Sequence, residues 1–192
     1  MKDILMRGFF GIGVQEISKA QNLGNLVRSA HSFGASFFFT INRTVDMRGI
    51  RQSDTSGAAD HMPFYDFPNV EALTLPRKCA LVGVELTEDA IELPSFRHPQ
   101  SAAYVLGPEM GSLSDDLIER CDHIVKIPMK FCVNVGTAGA ILMYDRMISL
   151  SRFPTRPPKA GGPVEGLPEN NYGPRRISPR KVSKEAEEMY RK

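Results

Sequence analysis

Four polar side chains sit in three short stretches that mix glycine, asparagine and apolar residues, each placed where a turn meets a helix or a strand end. Asn22 and Arg28 belong to Asn22-Leu23-Gly24-Asn25-Leu26-Val27-Arg28-Ser29-Ala30, six residues apart. They bracket the start of a helix whose apolar residues Leu23, Leu26, Val27 and Ala30 recur at i, i+3, i+4 and i+7, and which Gly34 ends. Asn22 is suited to cap that helix, with Asn25 as an alternative, and the helix start then offers free N–H groups and positive dipole to an anion. Arg28, one to two turns further in, carries a planar fork of donors that can hold phosphate and sugar oxygens together. A capped helix with an exposed arginine explains this stretch on its own equally well.

Glu109 lies in Leu106-Gly107-Pro108-Glu109-Met110-Gly111-Ser112-Leu113-Ser114, directly after an apolar run of strand length. In parallel sheets ligands bind beyond the carboxyl ends of strands, and Gly107 lets a ligand approach the backbone closely. A glycine-proline turn followed by a Ser114-capped helix accounts for the turn residues and leaves Glu109 unexplained. Asn134 lies in Ile127-Pro128-Met129-Lys130-Phe131-Cys132-Val133-Asn134-Val135-Gly136, where a strand ends, a short loop follows and a long helix begins. Cys132 reads either as a small buried hydrophobe or as a pocket-lining residue.

Positioning these residues calls for an α/β domain on a largely parallel sheet flanked by helices, because strand-length apolar runs alternate with helical segments. Six runs qualify: Phe9–Val14, Ser36–Ile41, Pro63–Phe67, Cys79–Glu85, Ala102–Leu106 and His123–Ile127. Besides the first helix, helices are expected at Arg51–Ala59, Val70–Leu75, Ser114–Cys121 and, longest, from Asn134 to Leu150. That last segment has Ile141, Leu142, Met143, Tyr144, Met147, Ile148 and Leu150 on more than one side, so it should be covered on more than one side. One sheet covers one side, and a second copy of the chain in a homodimer is the simplest cover for the other.

The 192 residues, 42% of them hydrophobic, allow one well-formed core. Residues 1–151 read as one domain and 152–192 as an extended or disordered tail, because seven of the 14 prolines fall in the tail among few aliphatic residues. The net charge of +2 hides an asymmetry: ten Lys/Arg stand against five Asp/Glu in the tail, and 14 against 17 in residues 1–151. Three scattered cysteines and four unclustered histidines make neither a disulfide framework nor a metal site, and they fit a reducing cytoplasm. The apolar stretch Ile4–Val14 is interrupted by Arg7 and diluted by glycine, so a buried first strand, not a leader or membrane span, is expected. Gly11-Ile12-Gly13 lacks the third glycine and following helix of a dinucleotide site, and Arg48, Arg51 and Asp54 read as a solvated loop and helix or as ligand-facing groups.

Taken in order, the three stretches resemble the three motifs of the SpoU (TrmH-type) RNA 2′-O-ribose methyltransferases, within the knotted SPOUT class. Each is weak alone; the ordered set carries the resemblance, which runs from about the first strand to the end of the long helix. It implies a C-terminal trefoil knot, S-adenosylmethionine as cofactor, no metal, and methylation of a ribose 2′-hydroxyl in tRNA or rRNA. Val84, Leu106, Gly107, Ile127, Met129 and Cys132 then fall around the cofactor. Arg28, Asn22, Glu109 and Asn134 fall at the catalytic positions: Arg28 to meet charge on the 2′-oxygen, the asparagines to orient, Glu109 to order the acceptor side. Cys132 is no nucleophile in this chemistry, which needs no covalent intermediate.

The chain departs from the family in three ways. Ser112-Leu113-Ser114 stands for Gly-Leu-Ser, Cys132 and Gly136 replace the two serines of Ser-Leu-Asn-Val-Ser, and the loop after Met129 is short. Those departures motivate an alternative, an inactive RNA-binding or assembly factor on the same scaffold. The extra substrate-binding domain of larger members is not expected, leaving RNA to the dimer and the basic tail.

Overall fold

Alternation of apolar side chains along each strand sends residues to two opposite faces, and two cores form accordingly. Phe10, Ile12, Val14, Phe38, Val82 and Tyr104 point to one, Phe37, Phe39, Ile41, Leu81, Ala103 and Val105 to the other. In the computed structural model, which describes residues 8–45, 61–151, 153, 156–157 and 160–162, these side chains belong to a seven-stranded sheet. The strands are β1 (Phe9–Gln15), β2 (Phe37–Ile41), β3 (Phe64–Phe67), β4 (Ala80–Val84), β5 (Ile91–Glu92), β6 (Ser101–Leu106) and β7 (His123–Lys126). Their order is β3-β2-β1-β6-β4-β7-β5, and every pairing is parallel. Residues Ile4–Arg152 form one compact unit.

Helix α1 (Ala20–Ser32) buries Leu23, Leu26, Val27 and Ala30 in the first core, together with Leu142 and Met143 of α3 (Val135–Leu150). Helix α2 (Asp115–Arg120) places Leu117 in the second. No helix among the described residues is long and apolar enough to cross a membrane.

Strand ends agree with the sequence pattern to within a residue. The two-residue β5, both of whose residues are exposed, is too short to leave a pattern. Val70–Leu75 is not a helix. Val70 and Leu73 are buried as a helical face would be, but Asn69 accepts from the Ala72 N–H at 2.9 Å and closes a local turn. Pro76 then disfavours helical geometry at Leu75. The expected helix Arg51–Ala59 lies outside the described residues, as does most of 152–192.

Helix α3 is less uniformly apolar than its sequence reads, since Arg146, only 1% exposed, occupies its buried stripe while Ile141 and Tyr144 face outward. Arg146 donates to the Tyr104 hydroxyl at 2.9 Å and to the carbonyls of Pro99 at 2.6 Å and Gln100 at 2.8 Å. Two of these partners precede β6, so the arginine ties α3 to the amino edge of the sheet.

Candidate active site

At the opposite, carboxyl edge, the ends of β4, β6 and β7 and the starts of α1 and α3 surround a cavity of about 470 Å³. That volume suits a small-molecule ligand. Val84 and Leu106 are the last residues of their strands; Gly107, Ile127 and Met129 follow theirs, and Cys132 lies in the loop before α3. All six line the cavity, as do Asn22, Glu109 and Asn134.

A continuous hydrogen-bonded chain joins the three motif stretches. Asn134 is the N-cap of α3, its Oδ1 accepting from the Gly136 N–H at 2.8 Å, while its Nδ2 donates to Asn22 Oδ1 at 2.8 Å. Asn22 Nδ2 in turn donates to Glu109 Oε1 at 3.0 Å. The carboxylate also accepts from the Lys19 N–H at 3.2 Å and from the Ser18 hydroxyl at 2.9 Å and N–H at 3.3 Å. Burial pushes the Glu109 carboxyl up, but these hydrogen bonds from Asn22, Ser18 and Lys19 together outweigh it and hold the group below its ordinary range.

Asn22 is therefore not the cap of α1. The helix starts at Ala20, and Lys19 holds the cap position without a side-chain cap bond. The acceptor comes instead from Glu109, on a loop some ninety residues away in sequence. Periodicity located Leu23 and missed the turn before it, which carries no buried apolar residue until then. Ser18 was missed as well; a serine just ahead of a helix start is the signal that marks it.

One departure from the family pattern, Gly136, has a local cause. A Cβ at Gly136 would lie 3.2 Å from Asn134 Oδ1 and 3.3 Å from Asn25 Cβ, so the close approach of cap and α1 leaves little room for serine. Cys132 is exposed at the cavity, not buried as a small hydrophobe. Arg28 stands apart: it is exposed on α1 and does not line the cavity of its own chain.

None of the four histidines lines the cavity. His98 is buried against Tyr104 at 2.7 Å and Asp145 at 2.9 Å. Among the described residues no group of His, Cys, Asp or Glu is placed to hold a metal ion.

The fold is that of solved SpoU methyltransferases. The AdoMet-bound rRNA methyltransferase of Sinorhizobium meliloti superposes with a TM-score of 0.67 at 18% identity, over 76% of this chain and 58% of that one. AviRb of Streptomyces viridochromogenes gives 0.64 at 22% identity, over 76% and 61%. The trefoil knot belongs to that fold class.

In sequence, the chain is 29% identical over 137 residues to the 23S rRNA (guanosine-2′-O-)-methyltransferase RlmB of Nitrosomonas europaea, covering 67% of this chain and 52% of the relative. It is 28% identical over 138 residues to the Mus musculus tRNA (guanosine(18)-2′-O)-methyltransferase, covering 67% of this chain and 9% of the relative. The chain thus spans about half the length of the bacterial relative and a small part of the mouse one. The sequence profile of the SpoU rRNA methylase family matches residues 10–144, and the chain belongs to that family.

Proposed function

We propose that the chain is an S-adenosylmethionine-dependent RNA methyltransferase acting on a ribose 2′-hydroxyl in tRNA or rRNA, and that it works as a homodimer. The observation that carries this reading is the chain from Asn134 through Asn22 to Glu109, which ties all three motif stretches together at one cavity.

The residues present fit the cofactor. Val84, Leu106 and Ile127 offer apolar walls to a nucleoside, Gly107 exposes backbone, and the asparagine pair supplies fixed amide groups. When bound, S-adenosylmethionine supplies an electrophilic sulfonium methyl. Asn22 and Asn134 orient groups at the mouth, and the ionised Glu109 orders the acceptor side. Arg28 offers guanidinium N–H donors and no acceptor, so it meets charge growing on the 2′-oxygen and does not act as a base.

Because Arg28 is exposed and outside its own cavity, the reading gives it to the site of a second copy. Ile141 and Tyr144, 37% and 48% exposed on α3, supply apolar surface for that contact. The basic residues of 152–192 add salt-sensitive attraction to RNA, and the protein works in the cytoplasm with its substrate.

Ribose-methylation mapping of total RNA from cells with and without the gene tests this. The reading expects one or a few 2′-O-methyl marks to disappear, and an unchanged map would overturn it.

A further inference from the structure

Both strands that flank β6 send a polar side chain to the loop that follows it. Gln15, the last residue of β1 and 3% exposed, accepts from the Ser114 N–H at 2.9 Å and donates from Nε2 to Ser114 Oγ at 2.6 Å. Glu85, just past β4, accepts from the Leu113 N–H at 2.7 Å, its other oxygen held by the Leu86 N–H at 2.8 Å. Consecutive loop residues are thus gripped from opposite sides.

Apart from the hydrogen bonds that Glu109 accepts from Ser18, Lys19 and Asn22, the loop has little else to hold it. Met110 is 90% exposed, Gly111 adopts a left-handed φ of 132°, and Leu113 is its one buried apolar residue. Gly107 keeps the grip tight, since a Cβ there would lie 3.3 Å from Leu113 N and 3.4 Å from Glu85 Oε2.

We propose that Gln15 and Glu85 are positioning residues, a two-sided clamp that closes the Gly107–Ser114 loop so that its first half walls the cofactor cavity and Glu109 reaches α1. The proposal rests on the reading of that cavity as the S-adenosylmethionine site. Gln15 does not line the cavity, so its influence on a ligand passes through Ser114.

Calorimetric titration of S-adenosylmethionine into the full chain tests the clamp through two separate readouts. Loss of folded molecules lowers the binding stoichiometry and leaves Kd alone, whereas a slack cavity wall raises Kd at unchanged stoichiometry. Gln15→Met keeps side-chain length and removes both bonds, and is expected to raise Kd roughly tenfold. Ser114→Ala removes only the hydroxyl arm, covers the case in which the methionine variant does not fold, and is expected to raise Kd about threefold. Thr40→Val removes a different, part-buried bond, from β2 to Asp66 of β3 at 2.6 Å, and is expected to leave Kd unchanged. Wild-type Kd in both Gln15→Met and Ser114→Ala overturns the clamp, as does an equal rise in Thr40→Val. Absence of binding by the wild-type chain would sink the cavity reading and the clamp with it.

Discussion

Asn134 and Asn22, 112 positions apart, meet side chain to side chain at 2.8 Å, and this contact fixes the amide orientation of both. Asn134 has its oxygen committed to the Gly136 N–H, so only its amino group can reach Asn22, whose own amino group then points to Glu109. Replacing Asn134 by Asp preserves the cap and sets a second acceptor against Asn22 Oδ1. The expected outcome is a melting temperature close to wild type with S-adenosylmethionine affinity lowered about tenfold. Asn134→Ala should also lose about 1 kcal/mol of stability from the missing cap, measurable by urea unfolding.

Glu109 gives a pH dependence with a definite sign. Its folded-state value lies below the ordinary 4.5, so its stabilising contribution is complete above that value and is lost as the pH falls through the lowered one. Stability of Glu109→Gln should therefore fall short of wild type at neutral pH, and the gap should close in acid. A gap that stays constant from neutral pH down to about pH 3 would contradict the ionised hydrogen-bond acceptor.

Arg28→Ala should retain cofactor affinity, because the side chain is outside the cavity of its own chain, and should lose methyl transfer. Mixing Arg28→Ala with Asn134→Ala subunits checks the assignment in trans. Assayed at limiting S-adenosylmethionine, each variant alone is expected to be far less active than wild type, and a mixed dimer should recover activity at the one site that combines an intact cavity with an intact arginine. No recovery after subunit exchange would place Arg28 elsewhere.

A second pH effect belongs to the opposite edge of the sheet. Arg146 donates to Tyr104, Tyr104 can donate to His98 Nδ1, and His98 Nε2 then donates to Asp145, which requires a neutral imidazole. Burial lowers the His98 value from 6.5, with Asp145 pulling it back up and Arg146 adding to the fall. The stability from a neutral His98 is thus full above 6.5 and is lost as the pH falls through the lowered value. Urea midpoints should decline with falling pH in wild type and less so in His98→Gln. Arg146→Met, which strands several carbonyls, should cost about 3 kcal/mol at neutral pH.

What the sequence made legible follows from how far each signal reaches. Strands such as Phe37–Ile41 and the apolar face of α1 declare themselves through patterns a few residues long. The residues around the cavity were legible through the resemblance of the three motif stretches to one family, not through any pattern in the residues themselves. Gln15 and Glu85 were not legible: each is a single polar residue at the end of an apolar run, and its partner lies 28 to 99 positions away. Arg146 was hidden for the same reason, since a cation inside an apolar helix reads as a solvent-facing residue until the carbonyls it satisfies are seen. Val70–Leu75 misled because burial at i and i+3 is shared by a helix and by a single turn stopped by proline.

The most direct measurement is transfer of radiolabelled methyl from S-adenosylmethionine to total RNA by the purified chain, followed by digestion to nucleosides. The account predicts label in 2′-O-methylribose, abolished by Arg28→Ala. Label on a base, or equal ribose label with the Arg28→Ala chain, would contradict it.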